Sequence, residues 1–200
     1  MWHRHFRSLF PGFVACLLLA APAASADRLG RVDGIRSNRP PEPAAFDLPI
    51  EGAGGADESR FLSALFDLVD EAALLNEKVG RWLLEGGREG LDPRDYFEEL
   101  DRLRSRIEAL PVPGRLEPVR QPILEALLFQ RGFVRDWFRA IDAGLSFESQ
   151  LTDEFAYHEG LHRSHRMLLK AHAELLALFP EIDGTNQRAF QDHLDAMDFR

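Results

Sequence analysis

The feature that most constrains the fold is an apolar residue at every third or fourth position, a pattern that recurs from residue 57 almost to residue 200. Its first run consists of Phe61, Leu65, Leu68, Ala72, Leu75, Val79 and Leu83. Such spacing collects the apolar side chains on one face of an α-helix. No segment alternates apolar and polar residues with an excess of β-branched types, as a half-buried strand would. The sequence therefore predicts an all-α protein.

Turn and capping residues divide this pattern into helices. Gly86-Gly87 would end the first helix, and Asp92-Pro93 would cap and open the second. We expect a third helix from Glu117 or Gln121 to Gly144, a fourth from near Ser149 or Thr152 to Phe179, and a fifth from about Thr185. Short connections between long helices predict an up-down four-helix bundle over residues 57–200, with a short fifth C-terminal helix.

The first 26 residues are typical of a secretory signal peptide. Arg4 and Arg7 precede a short apolar stretch, and Ala24-Ser25-Ala26 provides a cleavage site before Asp27. The alternatives are lipoprotein processing at Cys16, because small residues precede its thiol, and an uncleaved anchor. We expect a periplasmic or secreted protein, in which 27–56 form a flexible leader rich in proline and glycine. No later segment is apolar enough to predict a transmembrane helix in the mature chain.

The net charge of the chain limits the classes of molecule that it is expected to bind. The chain has 24 basic and 33 acidic residues, and removal of residues 1–26 would leave 22 basic residues and a formal charge of −11. Nucleic acids and anionic lipids need a basic surface, so neither is expected as the main partner, whereas an unknown protein partner or a cation is compatible with this charge. The single cysteine, Cys16, lies in the predicted signal, so the exported chain would have no disulfide and no thiol nucleophile.

The unusual chemical feature is a row of histidines in the predicted fourth helix. At about 100° per residue, the row falls on one face together with Leu169 and Leu176, which predicts a position on the inward stripe or at its edge. Imidazole binds zinc, copper and nickel well, and pairs three or four residues apart can share an ion. The row extends roughly 21 Å along the helix, so one ion could not bind all of it. The candidate metal ligands are His158, His162 and His165, with His172 and His193 as second-line candidates.

A structural interpretation of the same histidines is an alternative. A histidine at the edge of a core commonly forms a hydrogen bond with a carboxylate or an amide on a neighbouring helix. Gln130 and Asn76 fall on the inward stripes of their helices and could supply such partners. A cluster that responds to pH is a third interpretation.

His158-Glu159-Gly160-Leu161-His162 also matches H-E-x-x-H, the pattern of zinc metallopeptidases. Carried over, the resemblance would make His158 and His162 zinc ligands and Glu159 the general base. The residues that follow depart from the pattern, because Arg163 and Ser164 stand where uncharged and then apolar residues are usual. Gly160 would in addition weaken a helix at the motif.

Other catalytic patterns are missing from the sequence, including a P-loop, a glycine-rich dinucleotide turn and a Gly-x-Ser-x-Gly elbow. The favoured hypothesis is therefore an exported, non-catalytic helical-bundle protein with a binding or accessory role. The alternative is a periplasmic buffer or sensor for a divalent transition metal that uses the histidine row. The metallopeptidase is the least favoured alternative.

Overall fold

The computed structural model describes residues 55–84, 92–144, 158–182 and 184–199, and all regular secondary structure within these ranges is helical. Five helices pack together: α1 (Ala56–Leu84), α2 (Pro93–Ala109), α3 (Glu117–Asp142), α4 (Glu159–Leu178) and α5 (Gly184–Met197). A short 3₁₀ turn (Gly114–Leu116) precedes α3. The predicted all-helical class is confirmed. The predicted signal peptide, the leader up to residue 54, the Gly86-Gly87 helix end and the helix starts at Ser149 and Thr152 lie outside the described residues.

The described ends of α2 and α3 follow from local chemistry. Asp92 caps α2, because its Oδ1 accepts the amide of Arg94 at 2.8 Å, and Pro93 takes the first helical position. Helix α3 begins at Glu117, the earlier of its two predicted starts. Gly144 follows α3 with a φ of +80°, a left-handed conformation that glycine adopts without a steric penalty.

The core is built from the apolar stripes that the sequence predicts. In α1 the stripe is buried at every position from Phe61 to Val79, and Trp82 and Trp137 are buried as well. The largest fully buried side chains are Tyr96, Phe66, Phe133, Phe179 and Phe190. They come from α1, α2, α3 and α5 and from the end of α4, so all five helices contribute to one hydrophobic cluster.

Packing between helices is uneven. Helix α4 packs most extensively against α3 and has a smaller contact with α5, whereas α1 contacts both α2 and α5. Helix α4 is therefore covered by α3 and, less extensively, by α5, and its remaining surface faces solvent. Within the described ranges, no helix has both the length and the apolar character required to cross a membrane.

Candidate functional site

His158 marks the beginning of α4 and does not belong to the helix. Its backbone is extended (φ −60°, ψ 126°), and its ring Nδ1 accepts the amide of Gly160 at 3.0 Å. The predicted continuous helix from Ser149 or Thr152 through His158 is therefore wrong. The sequence did not suggest this boundary because serine, threonine, aspartate and asparagine are the usual N-caps.

The ring of His158 is held from two further directions. An accepting Nδ1 carries no proton, so the ring hydrogen of this state lies on Nε2, which is 3.5 Å from Asp136 Oδ2 on α3. The ring also meets Phe133 edge-on, with centroids 5.3 Å apart. Burial favours protonation of Asp136, but Arg135, His158 and Arg139 together hold its pKa below the ordinary value of 3.8. His158 thus caps α4 and joins it to α3.

Gly160 is a point of close approach between α3 and α4. A Cβ at this position would lie 2.9 Å from His158 Nδ1 and 3.0 Å from the carbonyl oxygen of Phe129. Contacts this short require the neighbouring atoms to move, and one of them is backbone. The glycine that would weaken an isolated helix here allows the helix cap and the contact with α3 to form together.

Glu159 is engaged in ion pairs on the surface. Its Oε1 lies 2.8 Å from Arg163 Nε and 3.5 Å from Arg166 Nη2. The hydrogen bond from Arg163 is the main reason that the pKa of Glu159 lies below its ordinary value. A general base works best when its pKa is close to the working pH, so this shift makes Glu159 a poorer base. The H-E-x-x-H match gains no support from a first histidine outside the helix and a glutamate with a lowered pKa.

The other histidines meet different partners at different places. His165 Nδ1 lies 2.9 Å from Oδ2 of the buried Asp198, and His193 Nδ1 lies 2.5 Å from Asp70 Oδ1 on α1. His162 is exposed and His172 is half-buried. Across the described parts of the chain, no group of three or more histidine, cysteine, aspartate or glutamate side chains is arranged to hold a metal ion.

Two amides that were expected to pair with histidines do something else. Asn76 Nδ2 donates to Gln130 Oε1 at 3.0 Å and to the carbonyl of Met197 at 2.7 Å. Gln130 Nε2 donates to Ser164 Oγ at 3.0 Å and to the same carbonyl at 2.9 Å. The pairing with histidine that the sequence left open is not what these two amides form. The last carbonyl of α5 has no donor within its own helix, and because it is buried the two amides satisfy it instead. The buried amide network, as we name these four residues, joins α1, α3, α4 and α5.

The face of α4 that turns inward is not the histidine face. Its buried residues are Ser164, Leu168, Ala171 and Leu175. The residues one position later, together with His162, are exposed or half-exposed and form what we call the α4 flank: His162, His165, Leu169, His172 and Leu176. The histidine row thus lies at the edge of the core, which was one of its two predicted positions, and beside α5.

The α4 flank borders a shallow depression between α4 and α5 with room for about one water molecule. Its lining comprises His165, Leu168, Leu169, His172, Gln191, Leu194 and Asp195. Leu169 is 49% exposed. The depression is too small to hold an organic substrate, so the accessible chemistry of this region lies on its surface.

The outer surface of α4 has a small excess of basic over acidic residues, although the chain as a whole is acidic. The helix has three basic residues, Arg163, Arg166 and Lys170, against two acidic ones, Glu159 and Glu174, whereas the whole chain has a formal net charge of −9. The basic residues and Leu169 are all exposed.

Comparison with known proteins adds no relative, since no protein family, curated protein or solved structure matches this chain.

Proposed function

We propose that this is an exported, non-catalytic helical-bundle protein that binds a protein partner through the α4 flank. Residues 1–26 would direct export, with the mature protein periplasmic or secreted. Helices α1 to α4 would form an up-down bundle with α5 as the short closing helix. The observation that carries the proposal is the solvent exposure of Leu169 within a row of imidazole and leucine side chains.

The residues of the one catalytic resemblance have structural contacts that support this proposal. His158 caps α4 through Gly160, and Glu159 pairs with Arg163 and Arg166. The α4 flank, in contrast, places exposed apolar surface beside polar and charged side chains, and an apolar centre with a polar rim is the general arrangement of protein interfaces.

Two other exposed leucines provide matched controls. Leu74 on α1 and Leu128 on α3 are each 46% exposed, close to the 49% of Leu169, but lie on other helices. A photoreactive amino acid placed at 169, 74 or 128 of the full chain should form a discrete covalent adduct in the native host only from position 169. Thermal unfolding of the three proteins would verify that they fold equally well.

The same adducts from all three positions, or none from position 169, would contradict the proposal. Robust turnover by the purified protein on a hydrolase panel would contradict its non-catalytic part.

A further inference from the structure

We infer that the N-terminal cap of α4 is a pH-dependent contact with α3. It forms while the His158 ring is neutral and breaks when that ring gains a second proton, at a pH that Asp136 helps to set. The inference goes beyond the proposed function and does not depend on it. It rests on the direction of the hydrogen bond at the cap, the enclosure of the ring and the charges around it.

The hydrogen bond of the cap can form only with a neutral ring. Its donor is the backbone amide of Gly160, so His158 Nδ1 must accept across the 3.0 Å between the two nitrogens. A protonated imidazole has a hydrogen on both nitrogens and can only donate. Imidazole is the side chain that ordinarily changes its charge between pH 5 and 8. Mild acid therefore turns the acceptor of the cap into a donor that faces another donor.

Two other histidine contacts lack this property. His165 Nδ1 faces Asp198, and His193 Nδ1 faces Asp70. A carboxylate accepts a hydrogen bond from a neutral or a protonated ring, so a second proton does not break these contacts. Among these three contacts, only the one at the cap is lost on protonation.

The ring of His158 is too enclosed to avoid the conflict by a small movement. Its side chain is 25% exposed and lies between Gly160, Phe133 and Asp136. Rotation of the ring cannot restore the cap, because the protonated form has no acceptor. The two donors can separate only if the ring leaves its place between α3 and the first turn of α4.

The charges supplied by α3 compensate little for the lost cap. Asp136 Oδ2 lies 3.5 Å from His158 Nε2, but Oδ1 already pairs with Arg135 Nε at 3.1 Å and Arg139 Nη1 at 3.6 Å. Burial raises the pKa of Asp136, but the two arginines and His158 hold it below 3.8, so this carboxylate stays ionised in mild acid. One more ion pair with a partly exposed carboxylate that already has two partners contributes little.

The charges on α4 do not favour a protonated cap either. A positive charge is unfavourable at the N-terminus of a helix, where the helix dipole is itself positive. Glu159 is already paired with Arg163 and Arg166, and Asp198 after α5 is paired with His165. The charged or titratable residues on the first two turns of α4 are Glu159, His162, Arg163, His165 and Arg166.

Nuclear magnetic resonance of the isotope-labelled full chain tests the cap at the atoms concerned. Between pH 8 and pH 5, the His158 ring and the Gly160 amide should titrate with one midpoint. The protection of that amide from solvent exchange should fall about fivefold or more over the same range. In His158→Asn, which caps without an ionisable group, the protection should stay constant. His165→Asn, which leaves the cap intact, should behave like the parent protein.

Urea unfolding measures the same effect on the whole protein. The cap contributes stability where the ring is neutral and loses it as the pH falls and the ring is protonated. The folding equilibrium constant of the parent, divided by that of His158→Asn, should therefore fall about fivefold from pH 8 to pH 5. Asp136→Asn should move the midpoint of the change to lower pH, because the carboxylate favours the charged ring.

The inference is overturned if the His158 ring stays neutral down to pH 5, or if it titrates without a change at the Gly160 amide. It is also overturned if His158→Asn loses protection with acid as the parent does, or if Asp136→Asn leaves the midpoint unchanged or raises it.

Discussion

His158 and Gly160 show how a residue can match a catalytic motif for a structural reason. Both stand in the H-E-x-x-H match, and the structure joins them by one hydrogen bond at the start of α4. Their types were visible in the sequence, but their roles depend on the carbonyl of Phe129 and on Asp136, which belong to another helix. No local pattern contains that information.

Replacement of Gly160 by alanine is expected to destabilise the protein, against the intrinsic preference of helices for alanine. The added Cβ would meet His158 and the Phe129 carbonyl, and such overpacking costs about 1–3 kcal/mol, more than the roughly 1 kcal/mol that alanine contributes in a helix. Urea unfolding of Gly160→Ala measures the balance. Gly132 on α3 is the control, because a Cβ there has no atom within 4 Å and Gly132→Ala should stabilise. Equal gains for both variants would refute the close approach.

The cap provides a second prediction. His158→Ala removes the acceptor for the Gly160 amide and should lower the free energy of unfolding by about 1 kcal/mol. His158→Asn should lower it much less, because asparagine can also accept from the backbone at an N-cap. His162→Ala, at an exposed position on the same helix, should have little effect on urea unfolding. A loss at His162 as large as that at His158 would be evidence that the row acts together, as a bound ion would require.

The metal content of the purified protein directly tests the hypothesis that the histidine row binds a metal ion. We expect well below one equivalent of zinc, copper or nickel in protein purified without a histidine tag, because the rings of His158 and His165 already contact Gly160 and Asp198. Inductively coupled plasma mass spectrometry supplies the measurement. About one equivalent that His162→Ala removes and His172→Ala retains would establish the metal-binding alternative instead.

For the helices, the sequence predicted which segments are helical, and where the described ends of α2 and α3 lie, better than it predicted which face of α4 is buried. Asp92, Pro93 and Gly144 marked the described ends of α2 and α3 because capping is local chemistry. Helix α4 has leucines in two adjoining series, with Leu168 and Leu175 in one and Leu169 and Leu176 in the other. Both satisfy the spacing of a buried stripe, so the pattern could not select between them. The contact with α3 through the small side chains of the first series decides the outcome.

An ion pair between the ends of two helices should make the free energy of unfolding depend on pH. Arg115 binds Glu58 at the start of α1 through two nitrogens, with Nη2 2.5 Å from Oε2, and its guanidinium lies 4.9 Å from the ring centroid of Phe179 after α4. The hydrogen bond from Arg115 is the main cause of the pKa of Glu58 lying below its ordinary value of 4.5. A carboxyl whose pKa is lowered by folding stabilises the protein above its unfolded pKa, and that contribution disappears as the pH falls through the folded pKa.

The difference in unfolding free energy between the parent protein and Glu58→Gln should accordingly be largest near neutral pH and shrink as the pH falls below 4.5. Denaturant titrations at a series of pH values measure it. Glu181→Gln, at an exposed position without an ion pair to any described residue, should change the free energy little throughout. A difference for Glu58→Gln that is constant with pH would exclude the ion pair as its source.

For the whole molecule, the buried amide network is the feature that sequence reasoning missed. Asn76 and Gln130 were recognised as inward-facing, but Ser164 and the carbonyl of Met197 carry no sequence signal for such a role. Gln130→Leu should destabilise the protein by about 1–3 kcal/mol, because it removes three hydrogen bonds from buried groups on three other helices. Gln121→Leu, on the exposed side of α3, is the matched control for urea unfolding. A Gln130→Leu protein as stable as the parent would show that the network contributes nothing net.

The groups that the buried amide network joins are synthesised at widely separated times. Asn76 and Met197 are 121 positions apart, so a ribosome that adds 5–20 residues per second exposes Asn76 for on the order of ten seconds before the carbonyl that accepts from it exists. During that interval the Asn76 amide lacks one of its two native acceptors and bonds water instead, so early burial of this part of the α1 stripe would cost a hydrogen bond. The buried amide network is therefore complete only after α5 has been synthesised, so the last helix to be made is also the one that satisfies the first.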